Sequence, residues 1–263
     1  MLSLIEETER RRHMKLHFLG TRGYLRVRSE RHYMHASLQV SFHGRRVILD
    51  LGEDWLGKAF ELAPAAYFVT HAHPDHAWGL KRGAPCPVYA SADSWESMSS
   101  FAVEDRRVVT PREPVTVGGF TFEAFKLEHS IRAPAVGYRV TAGTATIFYA
   151  PDLVYIEDRA EALAGADLYI GDGATLERSM VRKRGDVLFG HTPMRTQLTW
   201  CEKEGVRASI FTHCGAHIVA GDEESVAAKL EVMARERGVA TAIAHDGLDL
   251  EIRGLKSLGR PGG

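Results

Sequence analysis

Thr70-His71-Ala72-His73-Pro74-Asp75-His76 follows directly on the apolar run Ala65-Ala66-Tyr67-Phe68-Val69. The juxtaposition restricts the chain to folds that bury a short strand and open its C-terminal end onto a functional site. Tyr67, Phe68 and Val69 favour extended backbone, and a short apolar run bounded by turn residues suits a core strand. Four metal-competent side chains then fall within six residues, 71–76. In extended backbone, residues two apart point the same way, so His71 and His73 can grip one ion together. Pro74 fixes φ and stops the strand, which swings Asp75 and His76 elsewhere, toward a second ion. Two metals about 3.5–4 Å apart form a clamp for in-line displacement. Imidazole nitrogen with carboxylate oxygen is the donor mix that zinc, manganese or iron accept. A solvated loop or a tag would give histidine pairs without the hydrophobic strand ahead of them.

The chain has 263 residues, enough for one large domain or two small ones. Its 44% hydrophobic and 25% charged residues place it among ordinary soluble globular proteins. No apolar stretch approaches the roughly 20 residues that cross a bilayer, so no membrane partner is expected. The start, Met1-Leu2-Ser3-Leu4-Ile5-Glu6-Glu7, is acidic where a signal peptide would be basic, which predicts a cytoplasmic protein. Cys86, Cys201 and Cys214 form no CxxC pair and read as buried thiols of a reducing compartment. Net charge is −1, from 33 Lys+Arg against 34 Asp+Glu, so no global basic field recruits nucleic acid. Two local clusters exist: Arg22, Arg26, Arg28 and Arg31 on one loop, and Arg178, Arg182, Lys183 and Arg184 on another. A run of charge is ordinarily a solvated face, so position decides its meaning. Oligomeric state is not readable, and a homo-oligomer stays open.

Residues 15–20, 36–42, 46–49 and 87–90 read as strands, with His43-Gly44 as a turn and 91–102 as a short helix. From 107 to 150 the pattern is nearly all β, broken by Gly-Gly, Ala-Gly and Pro. Helix is predicted over 157–164, then strands at 168–170 and 187–189. Thr192-Pro193 is expected to cap a helix reaching Glu204, since Thr accepts from orphan amides and Pro fits the first helical position. Residues 208–212 form a strand, and 222–237 is the clearest helix, with acids in its first turn and Gly238 to stop it. Strands at 240–244 and 248–252 close the pattern. Two series of strands, each followed by helices, predict an α/β fold, a four-layer αββα sandwich. No linker divides it: residues 1–14 read as an extension, 15–255 as one domain and 256–263 as a tail.

A two-metal site needs further ligands, and strand ends, where loops converge, are the place to seek them. His129 follows the strand over 120–127, Asp152 follows Ile147-Phe148-Tyr149-Ala150-Pro151, and His213 follows Ser209-Ile210-Phe211-Thr212. Singly, each is an ordinary polar loop residue; in this order they read as one set. Cys214 is left out, because neighbours on a strand point to opposite faces.

With these motifs the chain resembles the metallo-β-lactamase-fold hydrolases over nearly its whole length. The family's motifs map in order onto Asp50, then His71, His73, Asp75 and His76, then His129, Asp152 and His213. The resemblance implies that His71, His73 and His129 hold one metal, that Asp75, His76 and His213 hold the other, and that Asp152 bridges both. Asp50, in Ile48-Leu49-Asp50-Leu51-Gly52, would orient ligating histidines by accepting their second N–H. The implied cofactors are two divalent ions, zinc first, with manganese or iron also accepted by nitrogen–oxygen sites.

Within that family, ribonuclease Z and related phosphodiesterases are the nearest likeness. Phe18-Leu19-Gly20-Thr21 resembles the ribonuclease Z opening strand, and His129 followed by Gly137-Tyr138-Arg139 resembles its third motif. Gly190-His191-Thr192 resembles its His-Ser-Thr loop, whose histidine assists phosphate chemistry. The family's His-Glu-Ala-Thr run is replaced by Gly171-Asp172-Gly173-Ala174-Thr175, which leaves open whether Asp172 takes the acid's place. The interval from His129 to Asp152 has no room for the protruding arm that grips transfer RNA, which argues against tRNA 3′-processing. The cyclic phosphodiesterase of phosphonate breakdown is a second relative, but its cysteine-bound zinc near the N-terminus has no counterpart.

The expected function is therefore metal-dependent hydrolysis of a phosphodiester in a small-molecule, nucleotide or nucleic-acid-like substrate. A metal-bridging hydroxide would attack phosphorus, since coordination lowers the pKa of water from about 15.7 toward ~7. Asp75 would receive or return the proton, and His191 would stabilise charge or protonate the leaving oxygen. In this family the loop after the first strand borders the active-site mouth, which makes Arg22, Arg26, Arg28 and Arg31 candidate phosphate contacts. The alternative is hydrolysis of a thioester, lactone or lactam on the same metals; such substrates need no cationic loop and favour apolar pockets. A pure binding module is a third reading, and the complete ligand set argues against it.

Overall fold

The computed structural model describes residues 13–254. The expected tail at 256–263 and residues 1–12 of the expected extension lie outside the described residues, and Met14 already belongs to the first strand. In chain order the first strands are β1 (Met14–Gly20), β2 (Ser37–Phe42), β3 (Arg45–Leu49), β4 (Ala66–Phe68), β5 (Val88–Ala90) and β6 (Arg106–Val108). Next come β7 (Val115–Val117), β8 (Phe120–Glu128), β9 (Ala135–Ala142), β10 (Ala145–Tyr149), β11 (Tyr155–Ile156) and β12 (Leu168–Asp172). The last are β13 (Arg182–Arg184), β14 (Val187–Phe189), β15 (Ala208–Thr212), β16 (Ala240–Ile243) and β17 (Asp249–Ile252).

Two large sheets result, with orders β17-β1-β2-β3-β4-β5-β6 and β11-β8-β9-β10-β12-β15-β16, β7 pairing with β8. β1 buries Met14, Leu16 and Phe18 while Lys15 faces water, the period-two pattern of a strand with one face on a core. Between the sheets lie Phe18, Leu38, Phe68, Phe122, Tyr138 and Ile147, with the Phe68 and Phe122 rings stacked 3.7 Å apart. Outside the first sheet, Ile48, Tyr67, Val69, Trp95 and Met98 form a second core. Outside the second, Phe148, Tyr169 and Phe211 pack on Met194, Leu198 and Leu230 from the helices Met194–Glu204 and Glu223–Arg235. The layers are thus helix, sheet, sheet, helix.

β4 shows why the run at 65–69 is continuous. Phe68 enters the inter-sheet core and Tyr67 the outer one, so both faces are apolar, as in buried parallel strands. β3, β4 and β5 run parallel, as do β10, β12 and β15. Their C-terminal ends therefore open at one edge, and the two sheets are tied there by Val136 N donating to Thr70 O at 3.0 Å.

Three boundaries differ from the expectations. The helix at 91–102 is only Ala92–Ser97, its first turn capped by the Ser91 hydroxyl, which accepts from Ser94 N at 3.2 Å. Ser99 and Ser100 follow, residues that compete with helical hydrogen bonding. Thr192 does not cap the next helix: Pro193 is the N-cap, and the Thr192 hydroxyl donates instead to Val154 O at 2.5 Å. The helix Glu223–Arg235 starts after Asp222, whose side chain accepts from Ser225 N, and Gly238 at φ 66° ends it. Among the described residues no helix is long and apolar enough to cross a membrane.

Candidate metal centre

Just past β3, Asp50 turns the chain with φ 59°, a region that aspartate tolerates better than most residues. Its buried carboxylate accepts from Thr70 N at 2.7 Å, from the Thr70 hydroxyl at 2.9 Å and from His76 Nδ1 at 2.9 Å. The Thr70 proton is thereby committed, so Thr70 Oγ1 must accept from His71 Nδ1, 3.1 Å away. This network assigns the protons of both histidines to Nδ1 and leaves each Nε2 with a lone pair. His76 Nε2 is buried and without a hydrogen-bond partner. Gly52 follows because there is no room for more: a Cβ there would lie 2.2 Å from Asp75 O.

His71 and His73 lie beyond β4, on a loop that stays extended up to His73, with φ −63° and ψ 154°. Pro74 does not merely turn the chain but opens the one-turn helix Pro74–Ala77, which buries Asp75 and His76. His129 leaves the end of β8, Asp152 follows β10 and His213 follows β15, the last with φ 55°.

These side chains converge on two groups whose ligand atoms lie within 4.8 Å of one another: His71, His73, His129 and Asp152, and Asp75, His76 and His213. His73 Nδ1 is 3.0 Å from His71 Nε2 and 3.1 Å from His129 Nε2. Tetrahedral ligands at a Zn–N distance of ~2.0–2.1 Å would stand roughly 3.3 Å apart. In the second group, Asp75 Oδ2 is 3.4 Å from His76 Nε2 and 3.0 Å from His213 Nε2. Asp152 Oδ2 stands between the groups, 3.8 Å from His71 Nε2, 3.7 Å from His76 Nε2 and 3.6 Å from His213 Nε2. Burial and the neighbouring imidazoles push His73 down to about 4 and His71 well below its ordinary value, so both are neutral, the form that ligates. Burial alone would raise Asp75, but His76 and His213 hold it well below the usual carboxylate range. In the first group, neutral imidazoles beside the Asp152 carboxylate fit a divalent cation. In the second, burial would lower both histidines, but Asp75 and Asp50 hold His76 well above the ordinary histidine value, and Asp152, Asp172 and Asp75 bring His213 up to about 9. That is positive charge whose place a divalent cation would take.

His191 stands beside the cluster, its Nδ1 2.9 Å from Asp172 Oδ2 and 3.0 Å from Asp152 Oδ1. Burial would lower it, yet Asp172 and Asp152 push it up to about 11. The carboxylate left open in the sequence, Asp172, thus lies against the cluster, paired with His191. It is fully buried, accepts from Leu153 N at 3.2 Å and Ala174 N at 2.8 Å, and lies 3.7 Å from His213 Nδ1. Gln197 was not anticipated. Its amide brackets the Asp172 backbone, accepting from Asp172 N at 3.0 Å and donating to Asp172 O at 2.9 Å. The available signal was a glutamine on the buried face that Met194, Leu198 and Cys201 define.

A cavity of about 800 Å³ opens over the cluster, walled by Tyr24, Leu25, Leu176 and Met180, with Arg178 at its lining. The arginines of the 22–31 loop do not reach it. Arg22 is buried, paired with Asp54 and donating to Tyr33 O at 3.1 Å. Arg28 also binds Asp54, at 2.6 Å, and Arg31 binds Glu223 at 3.0 Å. Arg26 lines a separate hollow with Arg22 and Arg28. Local acids hold three of the four guanidinium groups, so the expected row of phosphate contacts is not assembled at the cavity. What the loop does supply is backbone: Cys214 N donates to Thr21 O at 2.7 Å and Gly23 N to Cys214 O at 3.1 Å, clamping the segment that carries His213.

A family model described as a beta-lactamase superfamily domain matches residues 45–214. A search of curated proteins returned no significant match. Among solved structures, the chain is similar to the metallo-beta-lactamase fold protein YhfI from Bacillus subtilis, at 18% identity over 91% of this chain and 99% of that one, with TM-score 0.67. It is similar also to a diphosphatase of the PhnP family, at 22% identity over 91% and 97%, with TM-score 0.66. The short form of human tRNase Z gives 18% identity over 90% and 98%, with TM-score 0.58. At such identities the likeness to these structures is one of fold.

Proposed function

The chain belongs to the beta-lactamase superfamily and is a metal-dependent hydrolase, and from that premise we propose that the bond it cleaves is a phosphodiester. We assign His71, His73 and His129 to one ion, Asp75, His76 and His213 to the other, and Asp152 to both. When bound, the two ions supply Lewis acidity and lower the pKa of water from about 15.7 toward ~7. The protein's own groups do the rest. Asp75 Oδ2 lies on the side of His213 Nε2 and His76 Nε2, where it would hold the ion with them, which leaves Oδ1 to take a proton from the attacking water. Asp50 and Thr70 keep the Nε2 lone pairs of His76 and His71 pointed inward.

The observation that carries phosphorus over carbon is His191. Its Nδ1 is taken by Asp172 and Asp152, so Nε2 is the ring nitrogen left for the cavity that the residue lines. An imidazole fixed beside the cluster by Asp172 can, when protonated, meet the added negative charge of five-coordinate phosphorus and give its Nε2–H to the departing oxygen. Two structural relatives are named for phosphorus chemistry, a diphosphatase and a tRNase Z, which supports the reading. The test is His191→Ala: turnover of bis(p-nitrophenyl) phosphate should fall by about 10²–10⁴ while metal content stays that of the parent. Unchanged turnover would remove His191 from the reaction, and no turnover by the parent would remove the phosphodiester.

One observation favours the second reading, cleavage of a thioester, lactone or lactam. The walls at Tyr24, Leu25, Leu176 and Met180 are apolar, and three of the four 22–31 arginines are spent elsewhere. Turnover of a lactone or thioester panel, with none of phosphodiesters, would decide for it.

A further inference from the structure

β13 and β14 pair only with each other, setting Arg182 opposite Phe189, Lys183 opposite Leu188 and Arg184 opposite Val187. None of the residues 179–190 belongs to the three apolar cores, and β13 is exposed throughout. A lone two-stranded hairpin is marginal in water, so this one adds little to folding. Its root, however, is fastened to the wall of the metal centre. Met180 N donates to His191 O at 3.1 Å, and Gly190 N donates to His129 O at 3.0 Å. Gly190 has φ 109°, and a Cβ there would lie 2.3 Å from Met180 O, so glycine is what lets the neck close.

Most of the positive charge on this element is unspent. Arg178, Arg182, Lys183 and Arg184 face only Glu177 and Asp186 in the same stretch. The ion pair formed is Lys183 with Asp186, at 3.7 Å between exposed groups. Among the described residues, Arg178, Arg182 and Arg184 have no carboxylate partner. Arg178 lines the cavity, its backbone held by the Thr175 hydroxyl donating to Arg178 O at 2.8 Å. Cations therefore run from the cavity outward along the hairpin. Strand periodicity puts Arg182 and Arg184 on one face together with their cross-strand partners Phe189 and Val187.

We propose that this hairpin is a binding arm for a single-stranded phosphodiester chain that continues past the scissile bond; the proposal rests on the phosphodiester reading above. Guanidinium groups alternating with aromatic and aliphatic surface match such a strand, whose phosphates meet the cations while its bases stack on apolar faces. Arg178 contacts the phosphate next to the reacting one, and Arg182 and Arg184, on one face of the hairpin, contact those beyond. A lone nucleotide would not extend to the hairpin, and an acidic peptide would satisfy the charge without supplying the bond cleaved at its root.

The test compares R182E/R184E with its parent, both carrying His191→Ala to prevent cleavage. The probe is a fluorescein-labelled single strand of about 12 nucleotides, read by anisotropy across a salt series. The dissociation constant should rise at least tenfold, and the slope of log K against log salt should flatten by about 1.4, two cations at ~0.7 each. Should charge reversal disturb the fold, R182A/R184A reports the same trend with a smaller change. A dissociation constant and slope within twofold of the parent would overturn the proposal. So would a labelled poly-glutamate peptide that binds as tightly as the strand and is lost in parallel. Turnover of bis(p-nitrophenyl) phosphate by the unmodified protein reports separately on the chemistry. Strand binding without that turnover defeats the phosphodiester reading; turnover without hairpin-dependent binding defeats the arm.

Discussion

Asp50 binds no ion in our assignment, yet it decides which nitrogen His71 and His76 offer, directly for His76 and through Thr70 for His71. Asp50→Asn keeps the shape and loses the charge. Metal affinity, measured by competition with a fluorescent chelator, should drop about 10–100-fold while the circular dichroism spectrum is retained; unchanged affinity would mean the histidines hold their orientation unaided. Asp54 makes a different kind of claim. Its carboxylate neutralises Arg22, which is 1% exposed, so Asp54→Ala leaves a buried charge unpaired and should cost about 3–5 kcal/mol in urea unfolding. Arg28→Ala removes the exposed partner and should cost under about 1 kcal/mol. Equal costs would contradict the burial of the Arg22 pair. The residues that cluster at the site were legible because polar groups at the ends of apolar strands are conspicuous. The fate of the arginines was not, because Arg22 and Asp54 are 32 residues apart and Arg31 and Glu223 are 192 apart. Gln197 stayed hidden for a related reason: only the packed helix shows that its amide meets Asp172.

Among elements, the strands were the easiest to see. The predicted strand over 208–212 coincides with β15, and those at 46–49 and 168–170 fall inside β3 and β12. Their apolar residues are dictated by cores on both sides. Caps and ends were harder, as Thr192 shows: its hydroxyl had a stronger claim on it from Val154 O than from the following helix. The N-terminus of the helix Glu223–Arg235 is pinned to the 22–31 loop through Glu223, which binds Arg31 at 3.0 Å and lies 3.4 Å from His32. Burial would raise the Glu223 pKa, but Arg31 and His32 bring it below the ordinary glutamate value. A carboxylate depressed on folding contributes stability above its unfolded pKa of about 4.3, and that contribution is lost as pH falls through the folded value. Glu223→Gln should therefore be less stable than the parent at pH 7, with the gap closing as pH drops from about 5 toward 3. A gap that stays constant with pH in parallel urea titrations would show that the ion pair does not link helix to loop.

For the whole molecule, the layers follow from one fact about 65–69: a run apolar on both faces must be sandwiched, with helices on one side and a second sheet on the other. That placement brings the ends of β3, β4, β8, β10 and β15 to one edge, where residues far apart in sequence become one donor set. The fold and the residues that meet at this edge were thus readable from the order of motifs. The cavity's apolar walls, the Asp172–His191 pairing and the outward hairpin were not, since each depends on how loops pack across that edge. The central claim is that this edge is a two-metal centre that cleaves phosphodiesters. Its most direct test is a metal titration of chelator-stripped protein, following hydrolysis of bis(p-nitrophenyl) phosphate as zinc or manganese is added. Activity should be absent in the stripped protein and rise until two equivalents are bound per chain. Two bound equivalents with no hydrolysis of that diester, alongside turnover of a thioester or lactone, would contradict it.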